Sequence, residues 1–223
     1  MAAARPALER MKLQSRFREC LLAFVLAILT GAAAAQFQPG REFQRIEPQR
    51  PVAADGRVEV IEFFYYGCPV CYETEPFLSR WLGTAPEYVA LRRVPALSTE
   101  AWEPFAKLFY TLETLGQVAR LHWPVYDNFH FDDVKLNDER VMVDWAARNG
   151  IDRQKFSETY GSTEVAAKVT QARELLKVYD VRGVPTFIVD GKFLTSARLA
   201  GGTQEVIQVV DHLVRLAREE RLP

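Results

Sequence analysis

Hydrophobic residues recur along this chain in two periods, and the switches between them mark its elements. Val58 to Tyr65 is rich in β-branched and aromatic residues and is stopped by Gly67 and Pro69, which predicts a buried strand. Tyr88 to Val94 is expected to be a second strand, ended by Pro95. A shorter segment, Phe43 to Ile46, lies within a polar, Pro-rich lead-in from Gln36 to Gly56 and suits an edge strand. Pro69 to Trp81 predicts a helix, with Pro76 inside it as a source of kinking. The middle of the chain has the helical period. Trp102, Phe105, Phe109 and Leu112 fall on one face, and a second helical segment from Gln117 to Phe129 is disturbed by Pro124. Asn137 stands where a cap is needed for a helix bearing Val141, Trp145 and Ala146, with Gly150 beyond its end. Asp152 caps a short helix carrying Phe156 and Tyr160, and Val165, Val169, Ala172, Leu176 and Tyr179 stripe a longer one. Thr186–Val189 and Phe193–Thr195 then flank Asp190-Gly191, a two-residue hairpin turn that makes the pair antiparallel. After a break at Gly201-Gly202, Ile207, Val210, Val214 and Ala217 stripe a last helix, whose C-terminal Arg218 and Arg221 suit its dipole.

Strand–helix–strand, then several helices, then hairpin and helix describe a βαβ unit and a ββα unit with helices between them. This is an α/β, thioredoxin-like fold with an inserted helical domain. The expected boundaries are 36–98 for the first part, 99–180 for the insertion and 181–223 for the second part. Residues 1–35 stand apart. Lys12, Arg16 and Arg18 precede an apolar stretch from Leu21 to Leu29, and Ala32 to Ala35 follow, the layout of a cleaved secretory signal. The apolar stretch falls well short of the roughly 20 residues that span a bilayer. Removal of that leader takes five basic and two acidic residues, and moves the net charge from −1 to −4. Cys20 leaves with it, so the mature chain keeps only Cys68 and Cys71. Export implies an oxidising compartment, and the periplasm is the expected one. With 48% hydrophobic residues the chain is long enough for a sizeable core, and its charge gives no sign of a nucleic-acid partner.

Two cysteines three positions apart fit four chemistries. A zinc site needs three or four protein ligands, and His122, His130 and His212 are remote in sequence. Haem attachment needs a histidine directly after the second cysteine, where Tyr72 stands. A structural staple across so small a loop is worth ~2 kcal/mol at most, which a core of this size does not require. A reactive dithiol fits the local physics. Cys68 lies where a strand gives way to a helix, among unpaired N–H groups that favour an anion, and Pro69 starts the helix with no N–H to waste. Cys71 follows one turn later on the same face, as the buried partner. A lowered pKa makes Cys68 the attacking thiolate. Stabilising that thiolate stabilises the reduced protein, by ~1.4 kcal/mol per pKa unit, or ~30 mV for a two-electron couple. Glu62 lies within the run Val-Ile-Glu-Phe-Phe. It is either a surface charge on an edge or a buried acid that exchanges protons with Cys71. Val184-Pro185 precedes a strand, where proline is ordinary.

The stretches VIEFFYYGCPVC, RRVP before AWEPFAKLFYTLETLG, GVPTFIVDGKF and AGGTQEVIQVVDHL together resemble the DsbA family of periplasmic thiol–disulfide oxidoreductases across nearly all of the mature chain. The resemblance implies Cys68 as nucleophile, Cys71 as its partner, Glu62 as the buried acid and Pro185 as a cis-proline beside the dithiol, with Val184 pairing an extended substrate. It implies oxidation of unfolded exported proteins and reoxidation by a DsbB-like, quinone-linked membrane oxidase. A monomer is expected, with no cofactor beyond the Cys68–Cys71 disulfide and no metal. An apolar groove near the motif would receive clients. One departure bears on chemistry. The family's usual dipeptide is Pro-His, and here it is Pro69-Val70; valine can neither donate a hydrogen bond nor carry charge, so Cys68 is expected to have a higher pKa and the protein to be a weaker oxidant. Pro124 is a second departure, in a helix that is normally continuous. A disulfide isomerase or reductase on the same fold, or a chaperone-like binding module that survives loss of both thiols, are the rival functions.

Overall fold

The computed structural model describes residues 37–52 and 56–221, so the expected leader, residues 1–35, lies outside the described residues. The elements are β1 (Gln44–Arg45), β2 (Val58–Phe64), α1 (Pro69–Leu82), β3 (Val89–Pro95), a 3₁₀ turn (Glu100–Trp102), α2 (Glu103–Thr114), α3 (Val118–His130), α4 (Glu139–Arg148), α5 (Arg153–Tyr160), α6 (Thr163–Val178), β4 (Thr186–Val189), β5 (Phe193–Ser196), α7 (Ala197–Ala200) and α8 (Glu205–Glu219). The strands form one sheet in the order β1-β5-β4-β2-β3, with β2 and β3 parallel and the other pairs antiparallel. Among the described residues no helix is long and apolar enough to cross a membrane.

Each strand's sequence follows from its place. β2 has a neighbour on both sides, and all its residues but Glu59 are buried, which is why it is dominated by Val, Ile and Phe, with Glu62 the one buried carboxylate within it. Helix α8 packs on β2, β4 and β5 through Val206, Val209, Val210, Leu213 and Val214. The helices α2 to α6 pack against one another between β3 and β4 in sequence. Phe64, at the end of β2, links sheet and helices. Its ring meets Phe109 of α2 at 5.2 Å and His122 and Tyr126 of α3 at 5.2 and 6.2 Å.

Several local expectations shift in the structure. Pro124 sits inside α3, which stays continuous from Val118 to His130. Leu121, Val125 and Tyr126 are all buried from this helix. At about 1.5–3 kcal/mol per large apolar side chain, that burial outweighs the ~3 kcal/mol a proline costs in a helix interior. Helix α4 is capped by Asp138 rather than Asn137: the carboxylate accepts from the N–H of Arg140 at 2.8 Å and of Val141 at 3.3 Å, and its charge suits the helix start. Trp102 lies in the 3₁₀ turn, because Pro104 starts a fresh helix just after it. The indole instead stacks on Tyr65 at 3.9 Å. The β4–β5 loop has three residues rather than two, since Val189 pairs with Phe193. Asp190 within it is buried, with its carboxylate held by Lys192 at 3.2 Å and Arg221 at 3.0 Å. The short α7, capped by Ser196 and closed by Gly201 at φ 88°, had no signal beyond the break at Gly201-Gly202.

Gly191 has φ +61°, and a Cβ there would lie 2.3 Å from the carbonyl oxygen of Arg50. Gly201 has φ +88° with open space around the same position. Gly191→Ala therefore destabilises the fold by about 2–4 kcal/mol in urea denaturation, against about 1 kcal/mol for Gly201→Ala. Equal losses would show that the Arg50 backbone does not press on the turn.

Candidate active site

The end of β2 delivers the chain directly to the start of α1. Cys68 is the N-cap of that helix, with extended backbone and Pro69 in the first turn. Its N–H donates to the Tyr65 carbonyl at 3.0 Å and its carbonyl accepts from Tyr72 at 3.1 Å, which fixes the turn. No capping hydrogen bond of full geometry forms, but the N–H groups of Val70 and Cys71 at the helix start bear on the sulfur. The sulfur lies 3.7 Å from the Val184 carbonyl oxygen, and the Val184-Pro185 bond is cis. Cys71, one turn on, is 1% exposed. Both are free thiols in this structure. Val70 stands exposed between them.

The two thiols are driven apart. Cys68 is lowered to about 6, first by the hydrogen bond from the Cys71 thiol, then by the N–H groups of Cys71 and Val70, with burial and Glu73 opposing. The helix-start amides expected from the sequence are present, but the partner thiol is the largest influence. Cys71 is pushed well up, first by burial, then by the Cys68 sulfur and by Glu62.

Glu62 is 1% exposed, so the edge-facing alternative does not hold. Parallel register sets it opposite Arg93 of β3, whose Nε donates to Glu62 Oε2 at 3.1 Å. The same guanidinium reaches Glu75 Oε1 on α1 at 2.8 Å, and Ser79 Oγ donates to that oxygen at 2.7 Å. His122 Nε2 of α3 faces Glu75 Oε2 at 3.4 Å, and its Nδ1 lies 2.8 Å from Tyr66 Oη. Two carboxylates thus share one guanidinium. Burial pushes Glu62 up to about 8 against the pull of Arg93. Burial also raises Glu75, but His122, Arg93 and Ser79 together outweigh it and leave it lowered. Burial lowers His122. At neutral pH, then, Glu62 is protonated, Glu75 is ionised and His122 is neutral. An ionised Glu75 has no proton to give, so the imidazole proton sits on Nε2 and Tyr66 donates to Nδ1. Arg93, Glu75, His122 and Tyr66 were not singled out from the sequence. Arg93 could have been, from pairing RRVP alongside IEFF, and Glu75 from its position one helical turn past Cys71. His122 carries no local signal. Among the described residues, no group of three or more His, Cys, Asp and Glu comes together to hold a metal ion.

The DSBA-like thioredoxin domain matches residues 59–214. The chain belongs to this family. It is 38% identical over 184 residues to the thiol:disulfide interchange protein DsbA of Azotobacter vinelandii, covering 82% of this chain and 86% of that protein. The DsbA of Pseudomonas syringae pv. tomato is 37% identical over 195 residues, covering 86% and 91%. The crystal structure of Pseudomonas aeruginosa DsbA superposes with a TM-score of 0.79 at 34% identity, covering 84% of this chain and 97% of that one. This DSBA-like chain is a protein-disulfide oxidoreductase, and its α/β architecture is the thioredoxin fold of that family.

Two measurements test this electrostatic picture. Thiolate absorbance of the reduced protein should titrate near pH 6. Cys71→Ala, by removing the principal donor, should raise that midpoint by about one unit or more, and Val70→His should lower it. A midpoint near that of free cysteine, or no downward shift with histidine, would refute the assignment. For Glu62 the sign is set by its raised pKa. The unfolded carboxyl ionises near 4.5 and the folded one near 8, so the fold loses stability as pH rises between them. Glu62→Gln should therefore be neutral at pH 4 and stabilising by about 2–4 kcal/mol at pH 8, read by denaturation of the reduced forms. A destabilising effect at pH 8 would mean the carboxylate is held ionised.

Proposed function

We propose that the chain oxidises reduced, newly exported proteins in the periplasm by donating a Cys68–Cys71 disulfide. The observation that carries this reading is the unequal pair of thiols, one half-buried and acidic, the other buried and weakly acidic. A client thiolate attacks the Cys68 sulfur, and the Cys68–Cys71 bond breaks with its electron pair on Cys71. That thiolate is disfavoured in its buried site, and Glu62, protonated up to about pH 8, is the neighbouring proton donor. A second client thiolate then attacks the client sulfur of the mixed disulfide and expels Cys68 as a thiolate. The client loses two electrons and the protein gains them. The low pKa of Cys68 makes it the better leaving group, so the mixed disulfide resolves towards oxidised client.

Val184 and Pro185 border the sulfur and are the backbone against which an extended client would lie. Pro69 and Val70 complete the motif, with the Val70 amide turned to the thiolate. We assign residues 99–180 as the inserted helical domain; its α3 contributes His122 and Tyr126 to the buried side of the site. Return to the disulfide form requires an electron acceptor, and the one we propose, in keeping with the family resemblance, is a DsbB-like, quinone-linked membrane oxidase. An isomerase or reductase would have to pass electrons from Cys68 on to a client disulfide, a direction that the stabilised thiolate disfavours.

Oxidation of a reduced, unfolded protein by the purified disulfide form is the test. Cys68→Ala should drop the rate to that of the uncatalysed control, and equilibration with glutathione should show a couple more oxidising than glutathione itself. Retained activity in Cys68→Ala would point to a binding module, and a couple as reducing as glutathione to a reductase.

A further inference from the structure

A groove of about 1040 Å³ opens at Val70, Val184 and Pro185 and runs on past β5 and α7. The resemblance leads one to expect an apolar groove here, yet four arginines line it, Arg45, Arg50, Arg182 and Arg198, against two carboxylates, Glu47 and Asp180. Two of the arginines are already matched: Arg45 pairs with Glu220 at 2.9 Å and Arg182 with Asp180 at 2.7 Å. Arg50 and Arg198 have no ion pair among the described residues. Arg198 is exposed, and the Arg50 Nε is buried without a hydrogen-bond partner. A buried donor in that condition costs stability until an acceptor arrives. The chain as a whole has net charge −1, so the positive excess is local to this groove.

Resting on the function proposed above, we propose that this groove selects extended client segments that carry carboxylates, with Arg198 reading positions close to the reacting cysteine and Arg50 a more distant stretch towards the β4–β5 turn. Register places Arg198. Thr186 follows Pro185 and pairs with Ser196, and Arg198 lies two residues further, in the first turn of α7. With neighbouring strands about 4.8 Å apart and an extended chain advancing about 3.3 Å per residue, the guanidinium reaches client positions within about three residues of a sulfur bonded to Cys68. Arg50 is pinned by its own backbone, whose N–H donates to the Gly191 carbonyl at 3.0 Å, so its head group is presented from a fixed base. A guanidinium binds a carboxylate through paired, parallel hydrogen bonds, a geometry that a lysine, a hydroxyl or an amide on the client does not reproduce. Lysine on the client would instead meet like charge.

The test compares two reduced peptides of equal length and cysteine spacing, one with Asp and one with Lys flanking the first cysteine by two or three positions. Oxidation by the full-length disulfide form is followed by stopped-flow fluorescence. At low salt the Asp peptide should react about five- to tenfold faster, and the ratio should fall below about twofold in roughly 0.5 M salt, where exposed charges are screened. Arg198→Glu should bring the low-salt ratio to unity or invert it, and Arg50→Glu should reduce it. Because the readout is a ratio of two substrates on one enzyme, a general loss of activity in a variant does not imitate it. A wild-type ratio within twofold at low salt, or one unmoved by both substitutions together, overturns the inference. Failure of the wild type to oxidise either peptide or dithiothreitol is a different result, and would overturn the oxidase reading on which this one rests.

Discussion

One sulfur held as an anion organises this molecule. Its partners are local and short-ranged: the thiol of Cys71 and two amides at the start of α1. All of them depend on the helix beginning at Pro69, which depends on β2 ending where it does. β2 in turn is fixed in the middle of the sheet, hydrogen-bonded to β3 on one side and β4 on the other. The Val184 carbonyl, just before β4, is placed beside the same sulfur by that pairing. The chemistry of Cys68 is therefore a consequence of sheet order as much as of the Cys-x-x-Cys spacing.

The buried side of the site obeys a different constraint. Glu62 and Glu75 face a single guanidinium, and Arg93 has only one charge to share. Removing two ions from water is tolerated when they neutralise each other, but a second carboxylate has no such compensation. The carboxylate that gives way is Glu62, because Glu75 has His122 and Ser79 beside it as well as Arg93, whereas the Glu62 side chain has Arg93 as its partner among the described residues. The result is a neutral acid next to the thiol that must accept a proton each time the disulfide opens. It also removes a negative charge from the vicinity of Cys71, whose thiolate would otherwise form against it.

How far this was legible from the sequence depended on where each partner sits along the chain. Cys68, Cys71 and Pro69 share one turn, so spacing alone arranged them. Glu62 stood out as a carboxylate in an apolar run, which leaves burial or an edge open; only pairing on both sides of β2 decides between them. Arg93 needs the parallel register of two strands, and His122 needs the packing of α3 against α1, a contact between segments about fifty residues apart with no local mark in either. The same distance effect governs the smaller departures. Asp138 and Asn137 are adjacent candidates for one cap, and either residue type would serve; the carboxylate takes the position whose backbone is extended. Pro124 weakens a helix when read locally, and burial of its neighbours on one face restores it.

The groove is built from other parts of the fold than the thiol pair. Cys68, Glu62 and the strand geometry concern the thiol pair: one sulfur is held acidic and a neutral carboxyl stands near the other. The groove walls are built from β1, the segment after it, the approach to β4, and α7. Apart from Val184 and Pro185, which border the sulfur, these walls take no part in the thiol pair or in the buried network behind it. Arg198 lies on a four-residue helix whose cap, Ser196, is also the register partner of Thr186. That short helix ties the backbone of Arg198 to the strand that follows Pro185, so the position of this surface charge is set by the same sheet pairing that sets the sulfur.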